Sequence, residues 1–224
     1  MDIFRTHEQF ELDVLNGLNS ARILPGLILG GGTMLRLCHG LDRYSVDLDF
    51  YLVKSDFGVG LLEKCVKALG RRLTIMDHQD KRNTILIELS SVHYPRKLKI
   101  EVNKVRSIKT WKPEIAWSPF SNMQVLVNAV TLSEMAEMKI DALINRKEIR
   151  DAYDLEFLLK KKAPIPGDKD RYREILERLN GFTHQDFAVK LGSIIEAEKR
   201  QYYIENRFAV LKTYLLDMIA NAQT

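Results

Sequence analysis

Apolar positions at helical spacing open the chain. Phe10, Val14, Leu15 and Leu18 share one face of a helix predicted over residues 7–22, and Pro25-Gly26 breaks it. Leu27–Leu29 is an apolar run of strand length, and residues 33–39 are predicted helical. The pattern then switches to period two over residues 46–53. Val46, Leu48 and Phe50 point one way and Asp47, Asp49 and Tyr51 the other. A helix is predicted over 57–70, ending at Gly70, and strands over 72–76, 84–91 and 98–105. The last two are joined as a hairpin through His93-Tyr94-Pro95. Residues 106–124 hold both tryptophans and two prolines without a clear period and read as an irregular crossover. From Thr131 onward the pattern is helical. Thr131-Leu132-Ser133-Glu134 has capping-box spacing. Helices are expected over 131–145, 148–162, 169–180, 184–198 and 201–221, with Pro164–Asp168 as a linker. The pattern describes a mixed half of strands and helices followed by a helical half, with no internal repeat.

Composition narrows the class without naming a function. The 224 residues are 46% hydrophobic and 29% charged, which is an ordinary soluble globular balance. No apolar run approaches the roughly 20 residues that span a bilayer, and the acidic start MDIFRTHEQFELD lacks a signal-peptide pattern. Cys38 and Cys65 have no metal-ligand spacing and read as reduced thiols of a cytoplasmic protein. A net charge of +4 permits nucleic-acid contact without arguing for it.

The candidate chemistry is concentrated in Gly30–Phe50. Gly30-Gly31-Gly32-Thr33 forms a glycine turn leading into a helix, where backbone N–H groups can approach phosphates. The Thr33 hydroxyl is placed to donate to a phosphate or to cap the helix. The turn has no P-loop lysine, and two carboxylates on the next strand are the wrong partners for a dinucleotide. Asp47 and Asp49 project from the same strand face about 6–7 Å apart, which suits two Mg²⁺ ions about 3.5–4 Å apart. A solvated acidic strand face is the plainer alternative. Arg43 and Ser45 are candidate phosphate ligands, with Arg43 alternatively neutralising the acidic pair. Glu101, between Lys99 and Lys104, is a candidate third carboxylate, as a metal ligand or as the proton acceptor for an attacking hydroxyl. It reads equally well as a solvated glutamate.

A second cluster spans residues 136–155. Lys139 and Arg146 share a helix face, and Asp151 and Asp154 share another on the next helix. Arg150 and Asp154 have the spacing of a surface pair, and a buried Arg146–aspartate pair would tie the helices together. Lys139 is then the free cation for a triphosphate. Toward the C-terminus Lys190, Lys199, Arg200, Arg207 and Lys212 are candidates for a phosphate-contacting face, or simply the solvated sides of helices.

Together these motifs resemble the AbiEii/AbiGii-type nucleotidyltransferases, which include the MenT-type toxins of bacterial toxin–antitoxin loci. The first is Gly31-Gly32-Thr33 followed by Arg43-Tyr44-Ser45-Val46-Asp47-Leu48-Asp49-Phe50. The second is Lys139-Ile140-Asp141-Ala142-Leu143-Ile144-Asn145-Arg146 leading to Arg150-Asp151-Ala152-Tyr153-Asp154-Leu155. The likeness covers about residues 27–162. It implies an α+β fold with a DNA-polymerase-β-like nucleotidyltransferase core over 1–125. A helical region over 126–224 would contribute Lys139 and Asp151 or Asp154 to the site. It further implies Mg²⁺ (or Mn²⁺) on Asp47, Asp49 and, less regularly, Glu101. The triphosphate would lie on Gly31, Gly32, Thr33 and Lys139, with Arg43, Ser45 and Arg146 in support. The implied reaction moves a nucleotide from an NTP to an acceptor hydroxyl. RNA such as a tRNA 3′ end is the first-choice acceptor, in a toxin–antitoxin or phage-defence setting with a cognate antitoxin. Kinase-like transfer of the γ-phosphate and a non-catalytic NTP-binding module are the competing readings.

Overall fold

The computed structural model describes residues 3–221, which form two compact units. The first contains residues up to Gly40 and Tyr44–Thr131; the second contains Leu41–Arg43 and the chain from Leu132 onward.

The first unit is a seven-stranded mixed sheet with three helices. In chain order it holds α1 (Ile3–Ser20), β1 (Leu27–Gly30), α2 (Gly31–His39), β2 (Asp47–Leu52) and α3 (Leu61–Leu69), then β3 (Thr74–Asp80), β4 (Thr84–Ser91), β5 (Tyr94–Asn103), β6 (Trp111–Trp117) and β7 (Gln124–Val130). The strand order is β3-β4-β5-β2-β1-β7-β6. Period-two alternation sorts the sheet into two faces. Leu48, Phe50, Ile87, Ile100, Val102, Val127 and Ala129 lie on one face, all but fully buried beneath the helices. Phe10 of α1 stacks on Tyr94 of β5 at 4.5 Å on that side. Asp47, Asp49 and Glu101 occupy the other face.

Residues 106–124 are not an irregular crossover. Trp111–Trp117 forms the edge strand β6, paired along its whole length with β7. Pro113 is tolerated because an edge strand needs only one ladder. Smaller differences have local causes. The helix expected over 57–70 is divided by Gly60, whose φ of +64° interrupts it, so that only Leu61–Leu69 is α-helical. The strand expected at 72–76 runs instead over Thr74–Asp80.

The second unit is helical: α4 (Leu132–Arg146), α5 (Ile149–Lys160), α6 (Lys169–Asn180), a π-helical segment (Asp186–Leu191), α7 (Ala197–Asn206) and α8 (Ala209–Asn221). α4 starts one residue past Thr131, where the capping-box spacing places it. Asp168 caps α6, its Oδ1 accepting from the Arg171 N–H at 2.9 Å. Two expected helices are broken. The stretch 184–198 turns π-helical and unwinds before Ala197. The stretch 201–221 divides at Arg207 and Phe208, whose φ values are +45° and +58°. The break places the Phe208 ring, fully buried, against Phe187 at 5.3 Å and Tyr203 at 5.4 Å.

Candidate active site

In the first unit the site is built from a turn and three strands. β1 ends at Gly30, and Gly31 takes a left-handed φ of +69°. A Cβ at Gly31 would lie 2.2 Å from Asp49 Oδ2, so glycine is required both by the backbone and by the carboxylate beside it. α2 begins at Gly31, two residues earlier than the sequence suggests, and the N–H groups of Gly31, Gly32 and Thr33 form its first turn. β2 pairs with β5 in parallel, Asp47 opposite Lys99 and Asp49 opposite Glu101. Asp47, Asp49 and Glu101 therefore lie on neighbouring strands, on one face, all half-buried. The Lys99 ammonium sits between two of them, 3.7 Å from Asp47 Oδ2 and 3.6 Å from Glu101 Oε2.

Thr33 is fully buried and has a different role from the one expected of it. Its hydroxyl donates to the carbonyl oxygen of Asp47 at 2.7 Å and lies 3.2 Å from Glu11 Oε1. Burial pushes the Glu11 carboxyl well above the ordinary value, and the Glu8 charge pushes it further. The Thr33 hydroxyl, bonded to the Asp47 carbonyl and within hydrogen-bond distance of the Glu11 carboxyl, fixes the backbone at the start of the acidic strand. Glu11 was legible as an anomaly, a carboxylate on the apolar face of α1, but its partner was not.

No group of three His, Cys, Asp or Glu side chains among the described residues is arranged to hold a metal ion. The donor set is nonetheless of the right chemistry. Three carboxylates with only hard oxygen donors suit Mg²⁺ or Mn²⁺, and the Lys99 ammonium already supplies the positive charge this acidic face calls for.

The second unit holds a network of five charges. Asp154 is fully buried and accepts a bidentate pair from Arg43, Nε to Oδ1 and Nη2 to Oδ2, both at 2.6 Å. Lys139 Nζ lies 2.6 Å from Asp154 Oδ2 and 3.0 Å from Asp151 Oδ1. Arg146 donates to both Asp151 oxygens at 2.7 and 2.8 Å. Burial disfavours charge on Asp154, but Arg43 and Lys139 outweigh it and hold its carboxyl below the ordinary value. Asp151 is held low against burial in the same way by Lys139 and Arg146.

Several expectations are corrected here. Lys139 is not a free cation but is buried between two carboxylates. Arg43 grips Asp154 in a bidentate pair. Asp154 is not half of a surface pair with Arg150, since it is buried and held by other cations. The Arg146 tie between helices is present, to the buried Asp151, but the arginine itself is half exposed rather than buried. Ser45 is half-buried just before β2. Of the C-terminal cations, Lys190 pairs with Asp186 at 2.8 Å, Lys199 with Asp42, and Arg200 donates to the Gly192 carbonyl. Asp42, which no motif marks in the sequence, also accepts from Tyr153 Oη at 2.6 Å.

A family model described as the nucleotidyl transferase AbiEii toxin of type IV toxin–antitoxin systems matches residues 13–211. No curated protein matches the sequence. Among solved structures, JHP933 from Helicobacter pylori matches with a TM-score of 0.55 and 18% identity, over 100% of this chain and 97% of that one. A second, described as a putative nucleotidyltransferase from H. pylori, gives a TM-score of 0.61 at 18% identity over 97% and 98%. MenT4, a nucleotidyltransferase toxin from Mycobacterium tuberculosis H37Rv, gives 0.56 at 16% identity over 92% and 82%. At such identities the structural likeness establishes the fold, while the family match spans nearly the whole sequence. The chain belongs to the AbiEii nucleotidyl transferase toxin family.

Proposed function

We propose that the protein transfers a nucleoside monophosphate from an NTP to an acceptor hydroxyl, which attacks the α-phosphate and releases pyrophosphate, with RNA, such as a tRNA 3′ end, as the acceptor. The observation that carries this reading is the in-register set of Asp47, Asp49 and Glu101 beside the left-handed Gly31 turn. Asp47 and Asp49 would hold Mg²⁺, with Glu101 as a third ligand, and Lys99 would give up its contacts with Asp47 and Glu101 as they bind it. Bound there, the metal supplies charge neutralisation at the triphosphate and a lowered pKa for an attacking hydroxyl. The N–H groups of Gly31, Gly32 and Thr33 face phosphate oxygens, with Ser45 as an additional donor. As the alternative to a ligand, Glu101 serves as the proton acceptor for the attacking hydroxyl. In the second unit Lys139 is assigned to a phosphate, held ready by Asp151 and Asp154, while Arg43 and Arg146 hold those two aspartates in place. Family membership supports a toxic role in a toxin–antitoxin or phage-defence setting, with a cognate antitoxin.

The test is incubation of the purified protein with total RNA, Mg²⁺ and each α-³²P-NTP in turn. Labelled RNA is expected with the intact chain and none with Asp49→Asn. Labelling that survives Asp49→Asn would sink the assignment, and label passing from γ- but not α-³²P-ATP would make it a phosphotransferase instead.

A further inference from the structure

Strand β6 carries an apolar stripe that the folding of the first unit does not use. Trp111, Pro113, Ile115 and Trp117 alternate along it, so all four point to one face of the sheet. Their partners on β7 place Leu126 opposite Ile115. Trp111 is 39% exposed, Ile115 51%, Trp117 51% and Leu126 63%, which is far more than a sheet face normally leaves to water.

The register says which face this is. Trp111 pairs with Val130, Gly30 with Asp49, and Asp49 with Glu101. β1 and β7 run parallel with Ile28 opposite Asn128, which puts Gly30 in line with Val130. One row, Glu101–Asp49–Gly30–Val130–Trp111, therefore crosses five strands on a single face. Trp111 stands three strands from Asp49, about 14 Å at a strand spacing of about 4.8 Å. That span is roughly four nucleotides stacked at about 3.4 Å each. The approach to β6 is basic: between Glu101 and Trp111 the chain carries Lys104, Arg106 and Lys109 and no carboxylate. Lys104 also touches Asp80.

We propose that the outer face of β6 and β7 is a stacking shelf for the unpaired end of the acceptor nucleic acid. Bases rest on Trp111 and Trp117, and the terminal hydroxyl is directed along the row toward Asp49. Aromatic rings accept any base, because every base has a π face, and the basic run meets the phosphates. The inference deepens the nucleotidyl-transfer reading and rests on it for the identity of the strand.

Trp111 and Trp117 are the chain's two tryptophans, so the protein's own fluorescence reports on the shelf. A dye-labelled single-stranded 12-nucleotide RNA is titrated against the full chain by anisotropy, and the unlabelled RNA by tryptophan emission. Quenching is expected with the unpaired RNA and much less with the same sequence as a duplex. The double variant Trp111→Phe/Trp117→Phe should keep affinity within about threefold, because a smaller ring still stacks. Trp111→Leu/Trp117→Leu should weaken binding by about tenfold or more although its surface stays apolar. In transfer assays the loss should appear in KM for RNA, with kcat nearly unchanged. Should the leucine pair fail to fold on thermal melting, Ile115→Glu keeps both rings and should weaken binding through its charge alone.

Equal affinity for the phenylalanine and leucine pairs overturns the shelf. So does a leucine pair that changes oligomeric state on size exclusion while binding RNA normally, since the face is then a protein interface. If Trp-dependent RNA binding holds but no NTP labels any acceptor, the transfer reading falls and the shelf stands. If RNA is labelled and the leucine pair labels it as well as the native chain, the shelf falls and the transfer reading stands.

Discussion

Asp154 carries two cations on one buried carboxylate, and that asymmetry sets what its loss would do. Replacing it by Asn takes from Arg43, itself 3% exposed, the charge of its bidentate acceptor. Breaking a buried pair from one side costs about 3–5 kcal/mol, so Asp154→Asn is expected to lower the urea midpoint sharply. Lys97→Ala, which removes the exposed pair with Glu88, should change stability by less than about 1 kcal/mol. Thr33→Val removes the donor to the Asp47 carbonyl and should cost about 1–3 kcal/mol, whereas Thr33→Ser should recover most of it. That Asp47 and Asp49 share one strand face was legible because alternation is a local property that two residues and their neighbours display. The Arg43–Asp154 pair was not, because its members are 111 positions apart and nothing local in either motif marks the other as its partner.

At the scale of elements, the turn from β1 into α2 is the most sharply specified. Gly31→Ala must place a Cβ onto the Asp49 carboxylate and adopt a left-handed backbone costing about 1–2 kcal/mol. The larger effect is expected on activity. A displacement of about 1 Å at a reacting centre costs about 10²-fold in rate, so transfer should fall by about that factor while the far-ultraviolet dichroism is unchanged. Arg207→Gly works in the opposite direction. It relieves a left-handed φ at the α7–α8 break and should raise stability by about 0.5–1 kcal/mol in urea titration. Most helices and the strands β2 and β4 were readable because one face is apolar and the other polar. β6 was not, because its apolar residues Trp111, Ile115 and Trp117 face water and two ladders do not enclose it. The α7–α8 break was hidden for another reason: Arg207 and Phe208 are neither glycine nor proline, and only the burial of the Phe208 ring makes the positive φ worth its strain.

For the whole molecule, two opposing groups shape the dependence of stability on pH. Asp151 and Asp154 lie below the ordinary 3.8 when folded, since Arg43, Lys139 and Arg146 outweigh their burial. Their contribution is therefore present above pH 3.8 and is lost as the pH falls through the folded values. Glu11 is raised above 4.5 by burial, so folding is progressively disfavoured as the pH climbs from 4.5 toward its folded value. Melting temperatures measured across pH should drop steeply on the acid side. On the alkaline side Glu11→Gln should melt higher than the native chain, by a margin that grows with pH. Both groups belong to buried networks, and the helical and mixed halves that house them were visible in the change of period near Thr131. The division itself was less so, because Leu41–Arg43 joins the second unit and no composition shift marks three residues.

That three-residue stitch bears on how such a protein can be inherited or rebuilt. The second unit takes Asp42 and Arg43 from between α2 and β2, and Arg43 makes a backbone bridge with Ile195 besides gripping Asp154. A fragment starting at Leu132 would lack both residues and keep only Lys139 on Asp154. It is expected to stay unfolded by circular dichroism when expressed alone. Recombination that exchanged the helical half between related genes at the obvious seam would leave the wrong arginine segment behind. The two halves must then travel together through evolution, and a chimaera succeeds only if residues 41–43 are exchanged along with everything after 131.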